Sequence, residues 1–375
     1  MRVALVHDWL INMGGAERVL EELARMFPEA PIYVGVVDPR RLSPLLQTRH
    51  IIPSLVQRWP YAIRWYNRYL PLLAYGFEQF DLSSYDLVIS SSAAVAKGVV
   101  TRSETCHISY VHTPMRYAWD LYHEYHTREA KGLTRKLMGP VFHYLRLWDR
   151  VATDRVDVLV ANSSTVARRI QKHYRRSATV VHPPVSVDQF HIAEHVDDYY
   201  LVLSRLVAYK RFDLAVEAAN RLGRRLIVAG SGPELPHLKR IAKGSVQFVG
   251  AVNETRRAEL MAHARALLFP GEEDFGIAPV ESQAAGRPVI AYGRGGVQDT
   301  VIPTQTGILY SEQTVGALIE AMVQAEAMVW DSDTIRQNAL QFSPEAFRRN
   351  FQRLVDQAMA KHLPKGSQID TNGLT

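Results

Sequence analysis

The chain has 375 residues, 47% hydrophobic and 22% charged, a composition that fits a folded globular protein and excludes a disordered or fibrous one. That length exceeds what one core fills, so two domains of roughly 150–200 residues are expected, and the single cysteine, Cys106, excludes an internal disulfide framework. The formal charge of +6 is carried by the first half alone: residues 1–190 hold 24 Lys plus Arg against 17 Asp plus Glu, and residues 191–375 hold 20 against 21.

In chain order, an apolar run at 2–7 leads into a loop with Gly14 and Gly15 and then into a helical pattern at 16–27, so the chain opens as strand, glycine turn, helix. The opening run is too short for a signal peptide and is interrupted by a charge, which favours a cytoplasmic location. Further short apolar runs at 31–37, 86–90, 107–112, 157–162 and 178–182 alternate with helix-like stretches. Such buried strands predict a parallel sheet covered on both faces. The aromatic and basic run at 58–77 reads either as a membrane-interface or acceptor-binding helix, or as a core helix with snorkelling arginines. The basic first half suits an anionic partner, whether lipid head groups, nucleic acid or a phosphorylated substrate, or it serves only solubility. No recognisable nucleic-acid module accompanies it, so nucleic acid is not expected as a partner. No uncharged apolar run approaches the ~20 residues of a spanning helix, and any membrane contact would be peripheral.

Pro183 and Pro184 bar a helix, and the apolar pattern stops until about 198, which places the join between two domains. Strands are predicted again at 199–204, 225–232, 246–250, 266–270 and 288–292, alternating with helices as in the first half. The expected organisation is 1–190 and 191–342 as doubly wound domains, a helix at 343–363, and a disordered tail at 364–375. Ser343 caps that helix, Pro344 suits its first turn, and Phe347, Phe351, Leu354, Val355, Ala358 and Met359 share one face.

Ligands of open α/β sheets bind beyond the carboxyl ends of the strands. Arg205 and Lys210 follow the strand at 199–204, and Glu273 to Glu281 follow the one at 266–270. Two cations and two carboxylates suit a ligand carrying both phosphates and hydroxyls. Gly276 permits a tight turn and Pro279 marks a helix start, whose free amides suit a phosphate or sugar oxygen. His112 ends a strand of the first half. The glycines at 230 and 232 are weak evidence of a dinucleotide site, lacking the third glycine. No His or Cys cluster has metal-ligand spacing, so no metal and no other cofactor is expected.

Together, the Glu273 and Glu281 pair with seven residues between, Arg205 with Lys210, the Gly14–Gly15 loop, residues 161–164 and the linker at 181–185 resemble glycosyltransferase family four, the retaining group with the GT-B fold. The stretch 110–122 is similar to the mannosyltransferase branch of O-antigen and exopolysaccharide assembly. The resemblance implies two facing Rossmann-like domains with a cleft between them, and a C-terminal helix crossing back to the first. It implies that Arg205 and Lys210 hold the diphosphate of a nucleotide-sugar donor and that Glu273 contacts the sugar and Glu281 the ribose. Gly14 and Gly15 and the amides of Phe275, Gly276, Ile277 and Ala278 complete the donor clamp, and His112 lies beside the reacting carbon. The implied donor is GDP-mannose, with UDP-sugars as the alternative, and the implied acceptor is a lipid-diphosphate-linked glycan at the inner face of the cytoplasmic membrane. Catalysis would be a same-face substitution, unlike the paired-carboxylate chemistry of glycosidases. A non-catalytic nucleotide-sugar sensor is the more distant reading, and one would be expected to lack Arg205, Lys210 or Glu273.

Overall fold

The computed structural model describes residues 1–120, 122–123 and 132–362. The chain forms two compact units, one of Met1–Asn162, Val166–Val181 and the chain from Arg348, the other of Ser163–Thr165 and His182–Phe347.

The first unit holds seven strands: β1 (Val3–His7), β2 (Ile32–Val34), β3 (Ile51–Pro53), β4 (Leu87–Ser92), β5 (Cys106–Val111), β6 (Val158–Ala161) and β7 (Thr179–Val180). All pair in parallel in the order β3-β2-β1-β4-β5-β6-β7. The apolar runs lack alternation because both faces are covered: Ala4, Leu5 and Val6, Leu87 to Ile89, and Ile108 are all fully buried. The helix Gly15–Met26 follows β1, and its Val19, Leu20 and Leu23 are buried. In the last helix, Pro344–His362, Phe351 packs on Tyr110 of this unit with ring centroids 6.3 Å apart, and Arg348 bonds Glu22 at 2.5 Å. The predicted tail at 364–375 lies outside the described residues.

The aromatic run at 58–77 is not one helix. It breaks into a 3-10 turn Leu55–Arg58, the helix Ala62–Trp65, a turn Tyr66–Tyr69 and the start of the helix Leu70–Glu78, with Tyr61 in the left-handed region at φ 54°. Leu70, Leu73, Ala74 and Phe77 enter the core, while Arg58, Trp59, Tyr61, Arg64 and Arg68 are exposed.

The second unit repeats the plan with β8 (Tyr200–Leu203), β9 (Leu226–Ala229), β10 (Val246–Gly250), β11 (Ala266–Phe269), β12 (Val289–Tyr292) and β13 (Gly307–Tyr310), parallel in the order β10-β9-β8-β11-β12-β13. The helices Phe212–Leu222 and Val315–Glu326 bury Leu214, Ala218, Leu318 and Met322 with the side chains of Tyr200, Val202 and Leu268 in one cluster. In both sheets the strand order reverses direction beside the unit's first strand, between β1 and β4 and between β8 and β11. Crevices for ligands open at that switch point, beyond the carboxyl ends.

Candidate active site

At the switch point of the second unit, the chain leaves β8 through Ser204 and Arg205 and reaches the 3-10 turn Ala208–Lys210. Lys210 is nearly buried, and its Nζ lies 2.5 Å from Ser204 Oγ and 2.5 Å from Glu273 Oε1. Glu273 arrives from β11, so the two switch-point strands each supply half of one ion pair. Arg205 is exposed. Its loop is held from below: Leu206 N donates to Ser231 O at 2.9 Å, and a Cβ on Gly230 or Gly232 would lie 1.9 Å from Ser204 O or 2.2 Å from Leu206 O. The two glycines that look like a dinucleotide fragment are thus spacing for the Arg205 loop.

Glu273 is anchored by a segment that sequence reasoning missed. Gly296 N donates to Glu273 O at 2.8 Å, and Gly295 (φ +81°) has no room for a side chain, since a Cβ there would sit 2.2 Å from Glu273 O. The signal available was three glycines at 293, 295 and 296, just past the strand at 288–292. Beyond Glu273, Gly276 at φ +85° caps the helix Ile277–Ala284, and Phe275 and Gly276 are buried while Ile277 and Ala278 are partly covered. Phe275 stacks on His182 with ring centroids 5.6 Å apart.

Glu281 is 1% exposed, and its carboxylate is ion-paired with Arg257 of the helix Glu254–His263. The structure therefore gives the two glutamates different settings, Glu273 facing Lys210 and Glu281 closed in with Arg257. No spacing in the sequence singles out Arg257, which sits beside Arg256 on an ordinary surface helix.

The first unit has its own polar cluster at the corresponding switch point. His112 follows β5, its N donating to Ser92 O at 2.8 Å and its O accepting from Asn162 Nδ2 at 2.9 Å. Its Nε2 lies 2.8 Å from Ser91 Oγ. Burial first, and then the nearby His7, lower its pKa to about 3, so the ring is neutral at ordinary pH. The amide of Gly14 is taken by Glu17 Oε2 at 2.9 Å, and Gly15 opens the helix that follows. Asp8, also missed, accepts from the amides of Ala93, Ala94, Val95 and Ala96 at 2.6–2.9 Å, which pins the turn after β4 and uses those donors.

Two groups of three possible metal ligands occur among the described residues, Cys106 with Asp157 and His362, and His195 with Asp197 and His263. Neither includes Lys210, Glu273 or His112. Each is completed by a residue distant in sequence, His362 in one and His263 in the other, so spacing did not reveal them.

Residues 13–189 match the model of Glycosyltransferase Family 4, and residues 186–341 that of Glycosyl transferases group 1. A D-inositol 3-phosphate glycosyltransferase of Mycobacterium tuberculosis is 31% identical over 235 residues, which cover 55% of this chain and 49% of that protein. The chain spans about half the length of the curated relatives it matches. Among solved structures, sucrose-phosphate synthase from Thermosynechococcus elongatus superposes with a TM-score of 0.70 at 16% identity, covering 96% of this chain and 100% of that one. Anabaena HepE in complex with UDP-glucose gives 0.67 at 16% identity, covering 95% and 100%. These last two likenesses establish the fold, that of GT-B glycosyltransferases.

Proposed function

From a chain composed of a glycosyltransferase family 4-type domain and a group 1-type domain, we propose a retaining glycosyltransferase that moves a sugar, mannose from GDP-mannose, to a hydroxyl of a lipid-linked glycan in cell-surface polysaccharide assembly. The observation that carries the reading is the Lys210–Ser204–Glu273 group at the second unit's switch point. A lysine held by a hydroxyl and a carboxylate is pre-oriented, so little side-chain freedom is lost when a diphosphate arrives.

In this reading Lys210 and the exposed Arg205 take the diphosphate and stabilise the charge that develops as it leaves, Arg205 as a planar fork and Lys210 as a point charge. Glu273 accepts hydrogen bonds from hydroxyls of the transferred sugar. The amides from Phe275 to Ala278 add donors at the start of a helix, where the dipole favours an anion. Glu281 reaches the ribose after exchanging part of its bond to Arg257. For Gly14, Gly15 and His112, which belong to the first unit, the resemblance alone supplies the roles toward the donor. The leaving phosphate takes the acceptor's proton on the face from which it departs, so no side chain is assigned as nucleophile. Lys210, Arg205 and the amides balance the phosphate charge, and turnover is expected to persist in chelator.

GDP is chosen over UDP on the resemblance of the stretch 110–122, and UDP is the second reading because HepE was solved with UDP-glucose. Thermal unfolding with GDP, UDP, ADP and their sugars tests both. A ligand at 100 times its Kd stabilises the folded protein by about 2.7 kcal/mol. GDP and GDP-mannose are expected to raise the Tm. A rise with UDP alone would move the base assignment, and no rise with any nucleotide would remove the donor reading. In the same series, Lys210→Ala is expected to abolish the shift and lower turnover by about 10²–10³-fold.

A further inference from the structure

Strand register brings His112 together with residues to which the proposed reaction gives no part. His7 and Ser91 are partners across β1 and β4, and Ser92 is the partner of Val111, so His112 leaves β5 beside them. Ser91 Oγ lies 3.1 Å from His7 Nδ1 and 2.8 Å from His112 Nε2. A hydroxyl owns one hydrogen, so with two ring nitrogens it donates to one and accepts from the other.

The direction is set at the far end. His7 Nε2 faces Glu17 Oε1 at 3.7 Å, while the other oxygen of Glu17 is held by the Gly14 amide at 2.9 Å. Beside a carboxylate, a nitrogen carrying hydrogen is favoured over one presenting a lone pair. An imidazole with its single hydrogen on Nε2 offers a lone pair at Nδ1. Ser91 then donates to His7, and its oxygen accepts from His112 Nε2.

We propose that Glu17, His7 and Ser91 are positioning residues that hold His112 as the Nε2–H tautomer, presenting the Nδ1 lone pair as an acceptor for a hydroxyl of the ligand. Nδ1 of His112 has no hydrogen-bond partner among the described residues, whereas Nε2 is committed to Ser91. The backbone bonds to Ser92 and Asn162 fix the residue as well. An acceptor nitrogen matches a donor, so a neutral hydroxyl is the group that fits, and a fully ionised phosphate oxygen does not. That the hydroxyl belongs to a sugar rests on the function proposed above; the tautomer does not.

Two-bond proton–nitrogen spectra of the full chain, with histidine labelled in ¹⁵N, read the tautomer directly at pH 7. Signals of His112 are those lost in His112→Gln. An unprotonated Nδ1 and a protonated Nε2 are expected. A protonated Nδ1 would overturn the proposal, since it requires a doubly protonated His7 or a wire running the other way. Ser91→Ala should convert the single tautomer into a mixture, and Ser91→Thr, which keeps the hydroxyl, should restore it. Glu17→Ala should also give a mixture while leaving the Ser91 hydroxyl in place. An unchanged pattern in both Ser91→Ala and Glu17→Ala would remove the positioning role. In turnover, Ser91→Ala is expected to lower kcat with the donor KM unchanged. Because the spectra need no substrate, they decide the tautomer even if the glycosyl-transfer reading fails.

Discussion

His107 shows how one buried ring couples the first unit to pH. It lies within β5, fully buried, with Nε2 2.9 Å from Ser90 Oγ and Nδ1 enclosed with no partner among the described residues. Burial above all, then the charges of Arg155 and Arg176, lower its pKa to about 3. The unfolded ring takes a proton below about pH 6.5, and the folded ring resists until about pH 3. The stability it contributes is therefore complete above pH 6.5 and is lost as pH falls from there toward 3, at up to about 1.4 kcal/mol per pH unit. Hydrogen exchange of the β5 amides between pH 7 and 5 measures this. In His107→Gln the slope should flatten by that amount, and an unaltered slope would assign the pH dependence to other groups. Lys97 and Asp149, paired at 2.5 Å and both almost wholly buried, are a second internal polar pair whose chemistry is structural.

At the scale of elements, what the sequence announced and what it hid follow from the range of the interaction. Strands and helices were legible because burial on both faces leaves continuous apolar runs and burial on one face leaves a helical stripe. The pair Lys210 and Glu273 was legible as two positions after strands, because topology brings such positions together whatever lies between. Arg257, Asp8, Ser91 and Gly295 were not, since each acquires its role from a neighbour in space. The break of 58–77 into short pieces was also hidden. Its aromatic spacing mimics a helix, and only the packing of Leu73 and Phe77 into the core decides where the chain turns. Gly295 gives the sharpest test. Gly295→Ala requires a left-handed conformation that costs a β-carbon residue about 1–3 kcal/mol, and it drives that carbon into the carbonyl of Glu273. The expected outcome is a displaced Glu273, with donor affinity reduced much more than the Tm; nucleotide titration beside thermal unfolding separates the two. Full donor affinity in the variant would show that this loop does not hold Glu273.

Over the whole molecule, charge and exposed apolar surface coincide in the first unit. The surplus of positive charge lies within residues 1–190, where Arg58, Trp59, Tyr61, Arg64 and Arg68 are all exposed, and the Arg68 guanidinium sits 5.4 Å over the Trp65 ring. No helix among the described residues is long and apolar enough to cross a membrane. Aromatic rings with arginines around them have the composition of a surface that rests at a lipid interface, where each basic residue near an anionic leaflet contributes about 1 kcal/mol. The lipid-linked acceptor proposed above would place the protein at such a surface. Sedimentation with vesicles containing anionic lipid is therefore expected to carry the protein down at low salt and to release much of it at about 0.5 M salt, where the screening length is only a few ångströms. Neutral vesicles should retain little. Replacing Arg58, Arg64 and Arg68 with Gln should reduce the salt-sensitive binding, while Trp59→Ala with Tyr61→Ala should reduce the part that survives salt. Protein that stays in the supernatant with anionic vesicles at low salt would discard the membrane docking and leave the roles proposed for Lys210 and Glu273 as they stand, because these residues and their supporting loops belong to the other unit.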